Sequence, residues 1–208
     1  MSPDNPKKNL IRGAAWKVSS RWIIKALGFL NTIIMARLLM PEDYGIVAMG
    51  MLVVSLIQTF LDFGATTALL RKTEVTVDEI NSAWTLRMIQ GLIAALVLLL
   101  VTPLAVDYFT EDRLKHVLWT FAACVFLASA SNISPTLATR EFNFAFNFKL
   151  ETTAKLISVA TTLLFGYLLG DYRALILGIT AGFLTPLVLS YAWHPYRPRW
   201  NTSKIPEI

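Results

Sequence analysis

The sequence predicts an all-α, polytopic helical membrane protein with six transmembrane helices. Three observations carry this. Of 208 residues, 55% are hydrophobic and 16% charged, against roughly 25% charged in an ordinary soluble domain. Mean hydropathy is +0.53. The charges also leave long uncharged runs between them: Met88 to Val106, His116 to Thr139 and Ala174 to Tyr196 carry none. A spanning helix needs about 20 apolar residues, so the length admits six crossings comfortably.

Residues 1–15 form an arm made basic by Lys7, Lys8 and Arg12. The predicted membrane unit is 16–194. Its first helix, 16–40, is the least hydrophobic, because Lys17, Arg21 and Lys25 interrupt it. That interruption, and the lack of a small-residue cleavage site after it, argue against a signal peptide. The second helix, 44–70, contains one charge, Asp62. The third, 84–106, is uncharged from Met88 onward, and the fourth is 116–138. The fifth, 152–170, has a short apolar stretch, Leu156 to Gly170, and borrows from the polar turn before it. The sixth is 174–194. Residues 195–208 read as a cytoplasmic tail or the start of a linker. Pro103, Pro135 and Pro186 fall in or near spans, where each removes a backbone donor and favours a kink.

Direction follows from the cations. With the N-terminus inside, the inner segments hold Lys7, Lys8, Arg12, Arg71, Lys72, Arg87, Arg140, Lys149, Lys155, Arg197, Arg199 and Lys204. The outer loops hold Arg37, Arg113, Lys115 and Arg173. Twelve against four, with three cations left inside helix 1, places both termini in the cytoplasm. The net charge of +5 therefore reports cytoplasmic loops, not nucleic-acid binding.

Charges inside the spans are the candidate site. Lys17, Arg21 and Lys25 recur every fourth residue, so they share one helical face, which Gly28 and Thr32 continue. Two readings fit. One is an interfacial anchor whose long stems snorkel to the inner headgroups. The other is a stripe facing a water-filled, anion-accepting cavity. Lys25 lies about 12 Å deeper than Lys17, which strains the first reading. On helix 2, Ser55, Gln58, Thr59 and Thr66 share the face of Asp62. That carboxylate reads as a cavity acid, an ion-coupling group or a structural partner for Arg21 or Lys25. Arg87 and Gln90 form a smaller patch. Glu151 and Lys155 read as a local pair, with Lys155 facing the cavity as the alternative.

Other groups read blandly. Cys124 is the only cysteine, a packed thiol with no disulfide partner. His116 and His194 match no metal-ligand spacing, and no catalytic or cofactor motif is present. The expectation is a protein with no enzyme activity, cofactor or metal. Phe142, Phe144, Phe146 and Phe148 alternate, which fits a strand or, in this context, a short surface segment with rings among headgroups.

The run Ala36-Arg37-Leu38-Leu39-Met40-Pro41-Glu42-Asp43-Tyr44-Gly45 resembles the first outer loop of bacterial polysaccharide flippases. These are the lipopolysaccharide, O-antigen and exopolysaccharide translocases of the multidrug/oligosaccharidyl-lipid/polysaccharide exporter superfamily. Phe60-Leu61-Asp62-Phe63-Gly64, Thr139-Arg140-Glu141-Phe142-Asn143-Phe144 and His194-Pro195-Tyr196-Arg197-Pro198-Arg199 are also similar to that family. The resemblance implies two six-helix lobes around a cavity, of which this chain matches the N-terminal one. It implies translocation of an undecaprenyl-diphosphate-linked saccharide across the inner membrane by alternating access. Arg21 and Lys25, then Lys17, match the basic cavity residues expected to meet the diphosphate, and Asp62 is the candidate carboxylate. The implied partners are membrane lipid, the lipid-linked saccharide, and a second lobe or second copy. Alternatives are a small transporter that dimerises with itself, and a non-transporting membrane subunit of a polysaccharide assembly complex.

Overall fold

A computed structural model describes the backbone of residues 6–61, 64–72 and 75–205. It describes their side chains except those of 6–17, 20, 65, 66 and 68. The described residues form eight helices and no strand: α1 Pro6–Met35, α2 Pro41–Leu61, α3 Ala65–Arg71, α4 Val77–Phe109, α5 Leu114–Ser129, α6 Ser134–Arg140, α7 Phe144–Leu169 and α8 Tyr172–Trp193. Four of them, α2, α4, α7 and α8, are long and apolar enough to cross a membrane. Together α5 and α6 make a fifth, bent by 51° at the break between them. At 30 residues α1 has ample length, about 45 Å at 1.5 Å per residue, but its cations dilute its hydropathy.

Local chemistry sets the ends. Pro41 opens α2, where its missing N–H costs nothing and its φ is already helical. The apolar stretch after Asp43 divides: α2 stops at Leu61 and α3 resumes at Ala65. Gly64 sits between them at φ +72°, a conformation glycine adopts without strain. Helix α4 starts at Val77, well before its apolar run, because Thr76 and Glu79 form a complete capping box. The fourth predicted span is broken after Ser129, and Pro135 lies in the first turn of α6, as its missing donor requires. The alternating phenylalanines do not form a strand. Phe144, Phe146 and Phe148 enter the first turns of α7. The Asn147 amide draws that end against α6, donating to the Pro135 carbonyl at 3.1 Å and to Thr139 Oγ1 at 2.8 Å.

The helices pack as two antiparallel pairs, α4 with α5 and α7 with α8. Contact between α5 and α8 joins the pairs, and α2 lies against α4, α5 and α8. The core between them is built on Leu98, Leu114, Val117, Leu118 and Phe121, all essentially buried. Helix α1 packs on α7 and runs parallel to it: Gly28 is level with Lys155, and Met35 is level with Gly166. Large apolar side chains cover the outside, among them Trp22, Phe29, Phe60, Leu100, Leu104 and Tyr167. Such a surface suits hydrocarbon and not water.

The two ends differ. At one, Asp43 accepts hydrogen bonds from the Met40 and Tyr172 N–H groups, both at 3.2 Å, tying the α1–α2 turn to the start of α8. Arg113, from the α4–α5 loop, lies over the Tyr172 ring. It donates to both carboxylate oxygens of Glu111, at 2.8 and 2.9 Å, which holds that carboxyl below its ordinary range. The three loops predicted as outer thus share one end. At the opposite end, the Arg140 guanidinium donates to the Leu69 and Lys72 carbonyls, joining α6 to the end of α3.

The segment after α8 is a strap across that same end. The Tyr196 hydroxyl and the Arg199 N–H both donate to Asn81 Oδ1, at 2.7 and 2.9 Å. The Asn201 N–H donates to Thr85 Oγ1 at 3.0 Å, and its amide to Asp78 at 3.0 Å. Trp200 meets Trp84 edge-on at 6.4 Å. Asn81, Ser82 and Thr85 are buried, so the strap satisfies polar groups that would otherwise be orphaned under the loops.

Candidate functional site

The first candidates are the cations of α1 and Lys155 of α7, on two helices that pack against each other. Arg21 and Lys25 project from α1, both exposed within the chain. Among the described residues, neither is paired with a carboxylate within 4 Å. Lys17 lies on α1, with its side chain outside the described part, and Asp62 lies outside the described residues altogether. Lys155 comes from α7 and lies across Gly28: a Cβ there would sit 3.6 Å from both Cε and Nζ of the lysine. That is an ordinary van der Waals distance, so the ammonium lies against α1 at this level. Two buried polar atoms on the same two helices, Asn31 Oδ1 and Thr152 Oγ1, have no hydrogen-bond partner. Thr32, by contrast, returns its hydroxyl to the Gly28 carbonyl at 3.0 Å. Among the described residues, these two helices thus carry three cations with no carboxylate within 4 Å and two buried polar atoms without a partner.

A second cluster lies between α2, α4 and α5. Gln58, Arg87 and Gln90 line one cavity of about 370 Å³, with Ser129 and Ser131 opposite. The structure brings these three together and places Lys155 elsewhere, against α1. Arg87 is engaged by the protein. Its Nε donates to the Ser129 carbonyl at 3.2 Å, and Nη2 donates to Ser131 Oγ at 2.9 Å and to the Ser131 carbonyl. These groups are freed by the break between α5 and α6, so the guanidinium serves as a cap for a broken helix. The Gln90 amide nitrogen is buried without a partner and remains available, as does the exposed Gln58. Sequence spacing could not single out Asn31 or Thr152, because neither carries charge. Cys124 is buried against Thr180.

Comparison with known proteins decides the family. Residues 34–207 match the family described as polysaccharide biosynthesis protein. The chain belongs to this family. It is 22% identical over 204 residues to an uncharacterized membrane protein in the cps region of Klebsiella pneumoniae, covering 97% of this chain and 42% of that protein. It is 22% identical over 156 residues to the lipopolysaccharide biosynthesis protein WzxC of Escherichia coli strain K12, covering 75% and 32%. It is also 22% identical over 200 residues to the succinoglycan biosynthesis transport protein ExoT of Rhizobium meliloti strain 1021, covering 96% and 40%. The chain thus spans less than half the length of these curated relatives. No solved structure matches. The match begins at Ile34 and runs through the α1–α2 turn, the α5–α6 break and most of the strap, so it leaves out most of α1 and with it Arg21 and Lys25.

Proposed function

We propose that this family member is one lobe of an inner-membrane translocator that moves an undecaprenyl-diphosphate-linked saccharide, completed by a second lobe. On this reading six segments cross the membrane: α1, α2, α4, the bent α5–α6 pair, α7 and α8, with both termini cytoplasmic. The chain catalyses no bond change and moves its substrate by changing which side the cavity faces. The observation that carries the reading is the set of Arg21, Lys25 and Lys155 on α1 and α7, cationic and unpaired among the described residues. A diphosphate entering a low-dielectric bilayer needs neutralising charge, since Coulomb interactions weaken little there. Ammonium and guanidinium groups set into an otherwise apolar helix pair supply it, and the amides of Gln58 and Gln90 offer hydrogen bonds to sugar hydroxyls nearby.

The test is polysaccharide export in cells relying on the complete transporter. Arg21→Gln with Lys25→Gln is expected to abolish export at unchanged membrane levels, and Lys155→Gln to reduce it. Export at the wild-type rate from the double variant rejects the role. The unpartnered side of α1 and the exposed polar face of α2 (Ser55, Gln58 and Thr59) favour a neighbouring lobe. A second copy of this chain is the alternative source of that lobe, and a stable homodimer by native mass measurement in detergent would select it. A non-transporting accessory role gains if export survives the helix 1 substitutions but fails when loops are changed.

A further inference from the structure

A groove of about 690 Å³ opens at the end of the bundle opposite the strap, where α5 and α8 begin. Leu169, at the end of α7, lines it, about 20 Å along that helix from Lys155, and it does not depend on the function proposed above. Asp112, just ahead of α5, and His116 on α5 line it together with Arg173 of α8. Asp112 is exposed, and its carboxylate is bonded to no described residue. Arg173 is also free to act: its side chain is 67% exposed, and its one ion pair, with Asp171, is loose at 3.7 Å. The two opposite charges share a lining without closing on each other. Arg113 is different, since Glu111 already holds its guanidinium. One turn further along α8 the wall turns apolar, with Ile176 and Leu177, and Leu177 is exposed on the outside of the bundle.

A ligand that fits must carry an anion and a hydrogen-bonding cation a few bonds apart, joined to a hydrocarbon chain. We infer that this groove binds a zwitterionic phospholipid with a primary ammonium headgroup, phosphatidylethanolamine in class. Its phosphate meets Arg173, its ammonium donates to Asp112, and an acyl chain lies along Ile176 and Leu177. A phosphatidylglycerol headgroup leaves Asp112 facing a phosphate with no intervening cation. A phosphatidylcholine headgroup has no N–H to donate. In the proposed orientation the bound lipid belongs to the outer leaflet.

The test is native mass spectrometry of the 208-residue chain released from detergent, with the three lipids matched in acyl chains. A charge-assisted hydrogen bond corresponds to roughly tenfold in affinity or more, so phosphatidylethanolamine is expected to be retained about tenfold over the other two. Asp112→Asn is expected to erase the preference over phosphatidylcholine, and Asp112→Glu to keep it. Arg173→Gln is expected to weaken all three phospholipids together. Soluble phosphoethanolamine at millimolar concentration is expected to leave the bound lipid in place; displacement would mean a headgroup site with no lipid specificity, and would overturn the lipid assignment. Equal retention of the three lipids by the unsubstituted chain, meaning annular lipid only, overturns the proposal without reference to any variant. So does a preference that persists in a folded Asp112→Asn chain.

Discussion

Arg87 belongs to a predicted functional patch, yet its hydrogen bonds all run to the main chain and hydroxyl of the α5–α6 break. Arg87→Ala leaves two carbonyls without a donor in a buried place and is expected to cost roughly 1–3 kcal/mol. Arg87→Lys is expected to recover little, because one ammonium cannot reproduce the guanidinium fork across Ser129 and Ser131. Thermal unfolding in detergent reads both. If Arg87 instead holds substrate, Arg87→Lys will unfold at the wild-type temperature and fail only in export. That Arg87 and Gln90 share a face was legible from their spacing of three. Which groups Arg87 meets was not, since the carbonyls exist only because a helix breaks more than forty residues later. Lys155 poses the same difficulty: its neighbour Gly28 is set by the α1–α7 register, which no local pattern encodes.

Elements show the same division between local and distant causes. The predicted start of α4 at residue 84 follows hydropathy alone and misses the capping-box pattern Thr76-Val77-Asp78-Glu79, which starts the helix at Val77. The docking of the strap was not legible. Residues 195–208 read as a tail or linker, and the partners of Tyr196, Arg199, Asn201 and Lys204, which are Asp78, Asn81, Ser82 and Thr85, lie more than a hundred residues away. Those four form a single polar face at i, i+3, i+4 and i+7, the clue that something polar must cover it. Asn81→Leu removes the acceptor shared by Tyr196 and Arg199 and is expected to release the strap. Trypsin cleavage after Arg199 should then quicken by about tenfold or more, as local opening exposes the bond; an unchanged rate would show that Asn81 does not hold the strap. At the α7–α8 contact, a Cβ on Gly178 would overlap Thr162 Oγ1 and lie 2.9 Å from Thr162 Cβ and 3.0 Å from the Ser158 carbonyl. Gly178→Ala is therefore expected to cost roughly 1–3 kcal/mol. Thr162→Ala should restore part of that loss in the double variant, measured by unfolding temperature.

At the scale of the whole molecule, the decisive quantity is the number of crossings, and α1 decides it. Cation counting in the sequence separated two sets of loops, and the structure gathers each set at its own end, through Asp43 and Tyr172 on one side and Arg140, Asn81 and the strap on the other. That grouping is required by alternating helices and does not depend on where the membrane lies. Without α1 the chain has five crossing segments and its termini lie on opposite sides; with α1 it has six and they lie together. Helix α1 runs along α7 from Gly28 to Met35 and ends in the same turn that Asp43 ties to α8, so it reaches the end opposite the strap. Its cations lower its hydropathy but leave apolar Trp22, Phe29 and Leu30 on its exposed surface. Six crossings are therefore expected. Cys124 is the sole cysteine and is buried, so single cysteines introduced at Leu38, Asp171 and Phe142 report cleanly. A membrane-impermeant maleimide applied to intact cells freed of their outer membrane should label Leu38→Cys and Asp171→Cys directly, and Phe142→Cys only after permeabilisation. A reporter fused ahead of Met1 should face the cytoplasm. If that reporter faces outward while Leu38→Cys also labels from outside, α1 does not cross, and Arg21 and Lys25 are then interfacial anchors with no substrate to meet.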